Sequence, residues 1–203
     1  MPDVSTASIF PIQITTQRLL LRLWKDSDYA PFATMSANAE VMKFLASSTL
    51  TRQDSDNFVD QQKTFFDEYG WGLWAIEVPG IHPFVGFAGL HKPSYPLPFS
   101  LPSNPCTALS WRLDQPYWGH GYATEAAQAV IACAFNQLAI QEVVAFTALQ
   151  NPQSIAVMKR LGMQTHPADN FDFPLLEKSH PLTPHVLYRI ASGNNKNSAT
   201  IYS

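Results

Sequence analysis

Charge is scarce in this chain. Asp, Glu, Lys and Arg make up 14% of its 203 residues, against roughly 25% in ordinary soluble proteins. Thirteen Lys and Arg stand against 16 Asp and Glu, a formal net charge of −3. A general polyanion binder needs a clustered basic excess, so nucleic acid is not expected as a partner. Long apolar runs are missing as well. Nothing approaches the roughly 18 residues that cross a bilayer, so no membrane association is expected. Met1 to Ile14 lacks a basic segment followed by an apolar core, so no secretory signal is read there. Cysteine is limited to Cys106 and Cys133, with no CxxC pair. Two reduced thiols in a cytoplasmic protein are expected. The six histidines show no ligand spacing such as HExxH, so no metal is expected. A GxSxG nucleophile elbow is absent too.

Hydrophobic residues are present in ordinary proportion, 46%, enough to build a core. The length suits one domain with extensions. Seven of the 16 prolines fall between Pro79 and Pro105, marking a loop-rich stretch. Thr15 to Trp24 alternates apolar and polar residues and reads as a strand. Asp26 reads as the N-cap of a helix through Phe32 and Met35, and a short turn holds Val41, Phe44 and Leu45. Thr51 with Asp54 resembles a capping arrangement for a helix ending near Gly70. Trp71–Val78 and Phe84–Leu90 read as a hairpin. A loop from His91 to Pro105 precedes a strand at Cys106–Leu113. Ala127, Val130, Ile131, Ala134, Phe135 and Leu138 recur at helical spacing. Glu142–Leu149 fits a buried strand with a parallel neighbour. Asn151-Pro152 opens a further helix, closed by Lys159, Arg160 and Gly162. Met163–Asp169 reads as a strand, and His185–Ile190 as the last one. The order predicts an α/β layered domain with a mixed sheet. The polar segment 192–203 reads as a flexible tail.

Leu113 to Thr124, LDQPYWGHGYAT, carries the chemistry. A strand runs into a loop with two glycines, and a helix begins at once. Glycine lets backbone approach a ligand closely, and the open N–H groups of a first helical turn attract an anion such as pyrophosphate. A tight turn that needs glycine for geometry alone is the competing reading. No Gly precedes a Lys, so this is not a P-loop. A dinucleotide fingerprint would need a small residue at Thr124 and an acid at the end of a strand, whereas Glu142 begins one.

WGHGYATEAA, Trp118 to Ala127, resembles the acyl-CoA signature of the GNAT acetyltransferase superfamily. Its form is similar to the branch of ribosomal-protein N-terminal (alanine) acetyltransferases. TTQRLLLR at Thr15–Arg22, FVGFAGL at Phe84–Leu90 and NPQSIAVMKRLGM at Asn151–Met163 resemble further segments of that branch, in the right order. HPLTPHVLYRI at His180–Ile190 is similar to the last strand of a bacterial subgroup. The resemblance implies a mixed, mostly antiparallel sheet of six to seven strands flanked by helices, with the family's fourth and fifth strands splayed. It implies an extension at 1–13 and a single domain over 14–191.

The resemblance also implies acetyl-CoA as cosubstrate. The amides of Gly119, His120, Gly121, Tyr122 and Ala123 would hold its pyrophosphate, with the Thr124 hydroxyl. Leu113 would offer backbone to the pantetheine arm, and Asn151 would bind near the pantetheine amides or serve only as an N-cap. Ser154 would stabilise or protonate the departing thiolate, or act only as a capping hydroxyl. Three positions depart from the family pattern. Pro116 cannot donate an N–H. Ala108 stands where an acidic residue is usual. Phe173 replaces a frequent His. The general base is therefore unassigned among Asp172, Glu177, His91 and water. The implied reaction is acetyl transfer to a primary amine, on a small molecule or a protein N-terminus, with homodimerisation left open. A non-catalytic acyl-CoA sensor and a partner-binding domain without ligand are the alternatives. The loops 91–105 and 165–184 are expected to flank the acceptor, and their slight acidic excess to favour a cationic amine over an anionic one.

Overall fold

The computed structural model describes residues 12–45, 49–100 and 106–194. Most of the proposed N-terminal extension and of the tail, and residues 101–105 of the proline-rich loop, lie outside these. Eight strands form one sheet: β1 (Ile14–Thr15), β2 (Leu20–Arg22), β3 (Leu73–Val78), β4 (His82–His91), β5 (Ala108–Leu113), β6 (Glu142–Ala148), β7 (Phe171–Asp172) and β8 (Pro184–Ala191). Their spatial order is β1-β2-β3-β4-β5-β6-β8-β7. The count exceeds the expected six to seven because the two-residue edge strands β1 and β7 add to it. Five helices accompany the sheet: α1 (Tyr29–Ser36), α2 (Ala39–Met42), α3 (Arg52–Tyr69), α4 (Tyr122–Asn136) and α5 (Pro152–Arg160).

All neighbouring strands are antiparallel except β5 and β6. That parallel pair meets at one register position, Ala108 opposite Val144, with the Val144 amide donating to Thr107 at 3.0 Å. Beyond it β5 runs on to Leu113 and β6 to Ala148 without pairing with each other, so a gap opens between their carboxyl ends. This is the splay that the family resemblance implies.

The two faces of the sheet have different cores. Trp24, Phe32, Phe84 and Phe87 pack with Phe58 under α1 and α3, their rings meeting largely edge-on or tilted. Ile76, Val85, Leu109 and Val143 pack against Ala127, Val130 and Met158 of α4 and α5. Helix α3 begins and ends where its sequence indicates: the Thr51 side chain accepts from the Asp54 amide, and Gly70 is left-handed with φ 72°.

Several local expectations are corrected. Thr15–Trp24 is a hairpin, because Thr16 and Leu19 bond to each other and turn the chain between β1 and β2. The alternation fails at its end: Leu23 is 38% exposed while Arg22 is buried. Arg22 can be buried because Asp28 accepts from it at 2.8 and 2.9 Å and Glu77 at 2.7 Å, which satisfies a charge that is otherwise costly to desolvate. Asp26 does not cap α1. It pairs with Lys63 at 2.8 Å, and a 3-10 turn over Asp26–Asp28 leads into the helix. Met163–Asp169 forms only a bridge from Gln164 to Arg189, since Pro167 lacks a ladder donor and opens a 3-10 turn.

The glycines of β4 are required by close approach. A Cβ on Gly89 would lie 2.0 Å from the Gly72 carbonyl oxygen, and one on Gly86 2.1 Å from that of Arg112. Gly89→Ala is therefore expected to destabilise the fold by about 1–3 kcal/mol through overpacking. Denaturant unfolding checks this, and an unchanged midpoint would contradict the packing argument.

Candidate active site

At the end of β5 the Asp114 carboxylate accepts from the Gln115 amide at 2.8 Å and starts a 3-10 turn over Gln115–Tyr117. Pro116 fits this turn because a first-turn N–H would have no partner anyway. Trp118 then folds back, and its indole donates to the Leu113 carbonyl at 2.8 Å. Gly119 and Gly121 follow with φ 79° and 82°, a region that favours glycine. Helix α4 starts at Tyr122 with no side chain capping it. Among the described residues none of the amides of 119–124 donates to a protein acceptor, and the first that does is Glu125, to Gly121 at 3.0 Å. A Cβ on Gly119 would meet nothing within 4 Å. The result is an open row of donors at the positive end of a helix dipole, a cradle that fits an anion the size of a pyrophosphate.

A feature missed in the sequence braces this cradle. Arg18 pairs with Glu125 at 2.6 Å, donates to the His120 carbonyl at 2.9 Å and lies 4.9 Å from the centre of the Tyr122 ring. Thr16 and the Arg18 amide also donate to Glu125, at 2.6 and 2.9 Å. Burial pushes the Glu125 carboxyl up, but these hydrogen bonds outweigh it and hold it below the usual carboxylate range. Its charge is thus balanced by Arg18 beside the open amides. Arg18 and Glu125 both sit inside the motifs TTQRLLLR and WGHGYATEAA, so the signal was present, but it lay in two segments far apart in the chain.

The loop, α4 and the gap between β5 and β6 line a cleft of about 1790 Å³. Leu113, Gly119, Gly121, Tyr122, Ala123, Thr124, Asn151 and Ser154 all line it. His120 does not: its ring lies 5.5 Å from that of Tyr122, nearly parallel, with Nδ1 2.9 Å from the Trp118 carbonyl. The Leu113 carbonyl already accepts from Trp118, leaving one lone pair for a ligand.

On the opposite wall Asn151 is the N-cap of α5, its Oδ1 accepting from the Ser154 amide at 3.2 Å. Its Nδ2 donates to Thr147 Oγ1 and to Ser154 Oγ, each at 3.0 Å. Ser154 Oγ therefore accepts from Asn151, which leaves its own proton available to the cleft. Ala108 is 1% exposed and offers no acid. None of the candidate bases lines the cleft. Asp172 is exposed on β7. The Glu177 segment is folded onto its own loop, its carbonyl accepting from Thr183 and His180. Burial pushes His91 down to about 4, so it is neutral near pH 7, and its Nε2 lies 2.9 Å from Ser110 Oγ.

The two long loops also behave differently from expectation. Tyr95, Leu97 and Phe99 pack with Phe171 and Phe173 against Phe146 and Leu187 in a separate aromatic cluster, because their apolar side chains bury one another. None of their described residues lines the cleft, whereas Glu40, Val41, Phe44 and Leu45, in and after α2, do. Asp169 lies 3.6 Å from Arg189. Among the described residues no three or more His, Cys, Asp or Glu converge on a common point, and no helix is long and apolar enough to cross a membrane.

Arg112, in β5, is another cleft residue the sequence did not mark. Its guanidinium lies 5.3 Å from the centre of the Phe87 ring. Nη1 is fully enclosed and has no hydrogen-bond partner. Burial alone pushes this group down to about 10, so it remains charged near pH 7.

Comparison with known proteins agrees with this geometry. The family model of the acetyltransferase (GNAT) domain matches residues 18–164. The chain is 26% identical over 153 residues to the uncharacterized N-acetyltransferase YnaD of Bacillus subtilis, covering 75% of this chain and 83% of that protein. Its fold matches the GNAT-family acetyltransferase from Bacillus anthracis with a TM-score of 0.73 at 22% identity, over 89% of this chain and 99% of the other. It also matches the ribosomal L7/L12 alpha-N-protein acetyltransferase RimL, solved with coenzyme A, with a TM-score of 0.68 at 15% identity, over 90% and 97%. The chain belongs to the GNAT family of acetyl-CoA-dependent acetyltransferases.

Proposed function

We propose that the protein transfers the acetyl group of acetyl-CoA to a primary amine by direct attack, with residues 14–191 as the catalytic unit acting in the cytoplasm. The carrying observation is the row of open amides at the start of α4, set at the mouth of the gap between β5 and β6, with the Ser154 hydroxyl on the far wall. Acetyl-CoA supplies an activated thioester. In this reading the amides of Gly119 to Ala123, with Thr124, hold the pyrophosphate, and Arg18 keeps Glu125 from repelling it. His120 contributes its amide only. The free lone pair of Leu113 and the region of Asn151 face the pantetheine arm. Ser154 donates its proton toward sulfur as negative charge grows there. The attacking amine loses its proton to water in the open cleft, which needs no dedicated side chain.

The buried Ala108 favours a second reading, a domain that binds acyl-CoA without turnover. Thiol release separates the two. Incubation with acetyl-CoA and a panel of amines, with free CoA as the readout, is expected to show amine-dependent release. Calorimetric acetyl-CoA binding with no release from any amine would favour the sensor. The absence of binding would leave a fold used only to meet partners.

A further inference from the structure

We propose that Arg112 receives a carboxylate of the acceptor, so that the amine acetylated is an amino acid with an apolar side chain. This rests on the acetyl-transfer reading and deepens it.

Side chains alternate between the two faces of β5. Trp111 and Leu113 pack on the face that carries α4, so Arg112 turns to the other face. There it stands opposite Phe87 in the register, and Phe87 packs with Phe32 and Met35 of α1. The open amides belong to α4, so Arg112 lines the cleft from the sheet face away from the proposed cosubstrate. That is the side from which an acceptor would approach the thioester. Val41, which packs with the same cluster as Phe87, lines the cleft together with Phe44 and Leu45, and these offer apolar contact to a side chain.

The electrostatics of Arg112 point to an absent anion. Arg112 is partly buried with one nitrogen enclosed, and an enclosed guanidinium N–H is normally paired, because desolvating it without a partner is expensive. Arg22 in this protein follows that rule with Asp28 and Glu77. Arg112 has no ion pair or hydrogen bond among the described residues. Every carboxylate near the cleft is turned elsewhere: Glu125 to Arg18 and Thr16, Glu40 toward Lys43 at 3.7 Å, and Asp114 to the Gln115 amide. The ring of Phe87 is a weak substitute for an anion. Nε and Nη2, which are neither enclosed nor hydrogen-bonded among the described residues, form the edge of a planar fork suited to a carboxylate, which it can bind through two parallel bonds. This reverses the preference for a cationic acceptor read from the loop charges, because none of the described residues of those loops lines the cleft.

The test compares phenylalanine with phenylalaninamide, 2-phenylethylamine and a peptide beginning with Asp, by CoA release from wild type, Arg112→Gln and Arg112→Lys. The expected result is a kcat/KM for phenylalanine at least about 10-fold above the amide and the decarboxylated amine, carried mainly by KM. In Arg112→Gln that ratio is expected to fall to near one, with partial retention in Arg112→Lys. Because Gln removes a partly desolvated charge that has no partner among the described residues, its melting temperature is expected to hold or rise. A second readout does not need turnover. N-acetylphenylalanine, in the presence of CoA, is expected to bind wild type and not Arg112→Gln by calorimetry, while its amide binds neither. Equal use of acid and amide by wild type overturns the proposal while leaving acetyl transfer intact. So does a ratio unchanged by the substitution. Preference for the Asp peptide over phenylalanine overturns the amino-acid assignment and retains the carboxylate. Product binding that is indifferent to Arg112, with no amine releasing CoA, overturns this inference and the acetyl-transfer reading together.

Discussion

Gly121→Glu is expected to abolish acetyl-CoA binding, with calorimetric affinity falling by at least about 100-fold, or roughly 2.7 kcal/mol. Two effects combine. Gly121 has φ 82°, a conformation that costs an L-residue about 1–2 kcal/mol, so the turn that presents the amides is strained. The new carboxylate also sits at the positive end of α4, where it competes with the pyrophosphate for the same open donors. The Cβ at this position would lie 3.3 Å from Arg18 Nη2. The introduced acid would therefore draw Arg18 away from Glu125 and leave a second negative charge beside the cradle. Gly119→Glu serves as a companion, because its Cβ meets nothing; with Gly119→Ala carrying the same backbone strain at φ 79°, the further loss in Glu over Ala reports on the approach of the anion. With a normal circular dichroism spectrum, unchanged affinity in both Glu variants would remove the pyrophosphate site from the α4 terminus.

Ser154→Ala is expected to lower kcat about 10- to 100-fold while the KM for acetyl-CoA stays within about twofold. In the proposed reading the hydroxyl faces the position where charge grows only as the thioester bond breaks, and an interaction realised in the transition state acts on kcat. The structure separates this from a capping role. The cap of α5 is made by Asn151 Oδ1 on the Ser154 amide, which an alanine retains. What alanine loses is one hydrogen bond, from Asn151 Nδ2 to Ser154 Oγ, worth about 0.5–1.5 kcal/mol. Melting and turnover per folded molecule are measured on one preparation. A lower melting temperature with unaltered turnover would make Ser154 a structural hydroxyl only.

Much of the frame was legible because it is local. Thr51 and Gly70 bound α3 through backbone groups within four residues. Asn151-Pro152 opens α5, and Leu161-Gly162 closes it, for the same reason. Where tertiary partners decide, local patterning failed. Leu19 and Leu21 are buried as their alternation predicts. Arg22 breaks the pattern because Asp28 and Glu77 reach it from other segments. The 91–105 loop carries aromatics, which suggested ligand contact, but they found one another and Phe171 and Phe173 instead.

The same division runs through the site. The sequence by itself determined the backbone of the cradle, because two glycines before a helix start favour left-handed backbone and leave the first-turn amides open locally; its bracing came from elsewhere. It also determined the Asn151–Ser154 cap, a contact of three residues' span. The splay between β5 and β6 was expressed in no single segment. It depends on how two strands separated by α4 meet at one register position and then part. The bracing of Glu125 by Arg18, more than 100 residues away in the chain, was likewise decided only on folding. So was the isolation of Arg112: a charge is unpaired only relative to every side chain that the fold brings near it, and no periodicity records that.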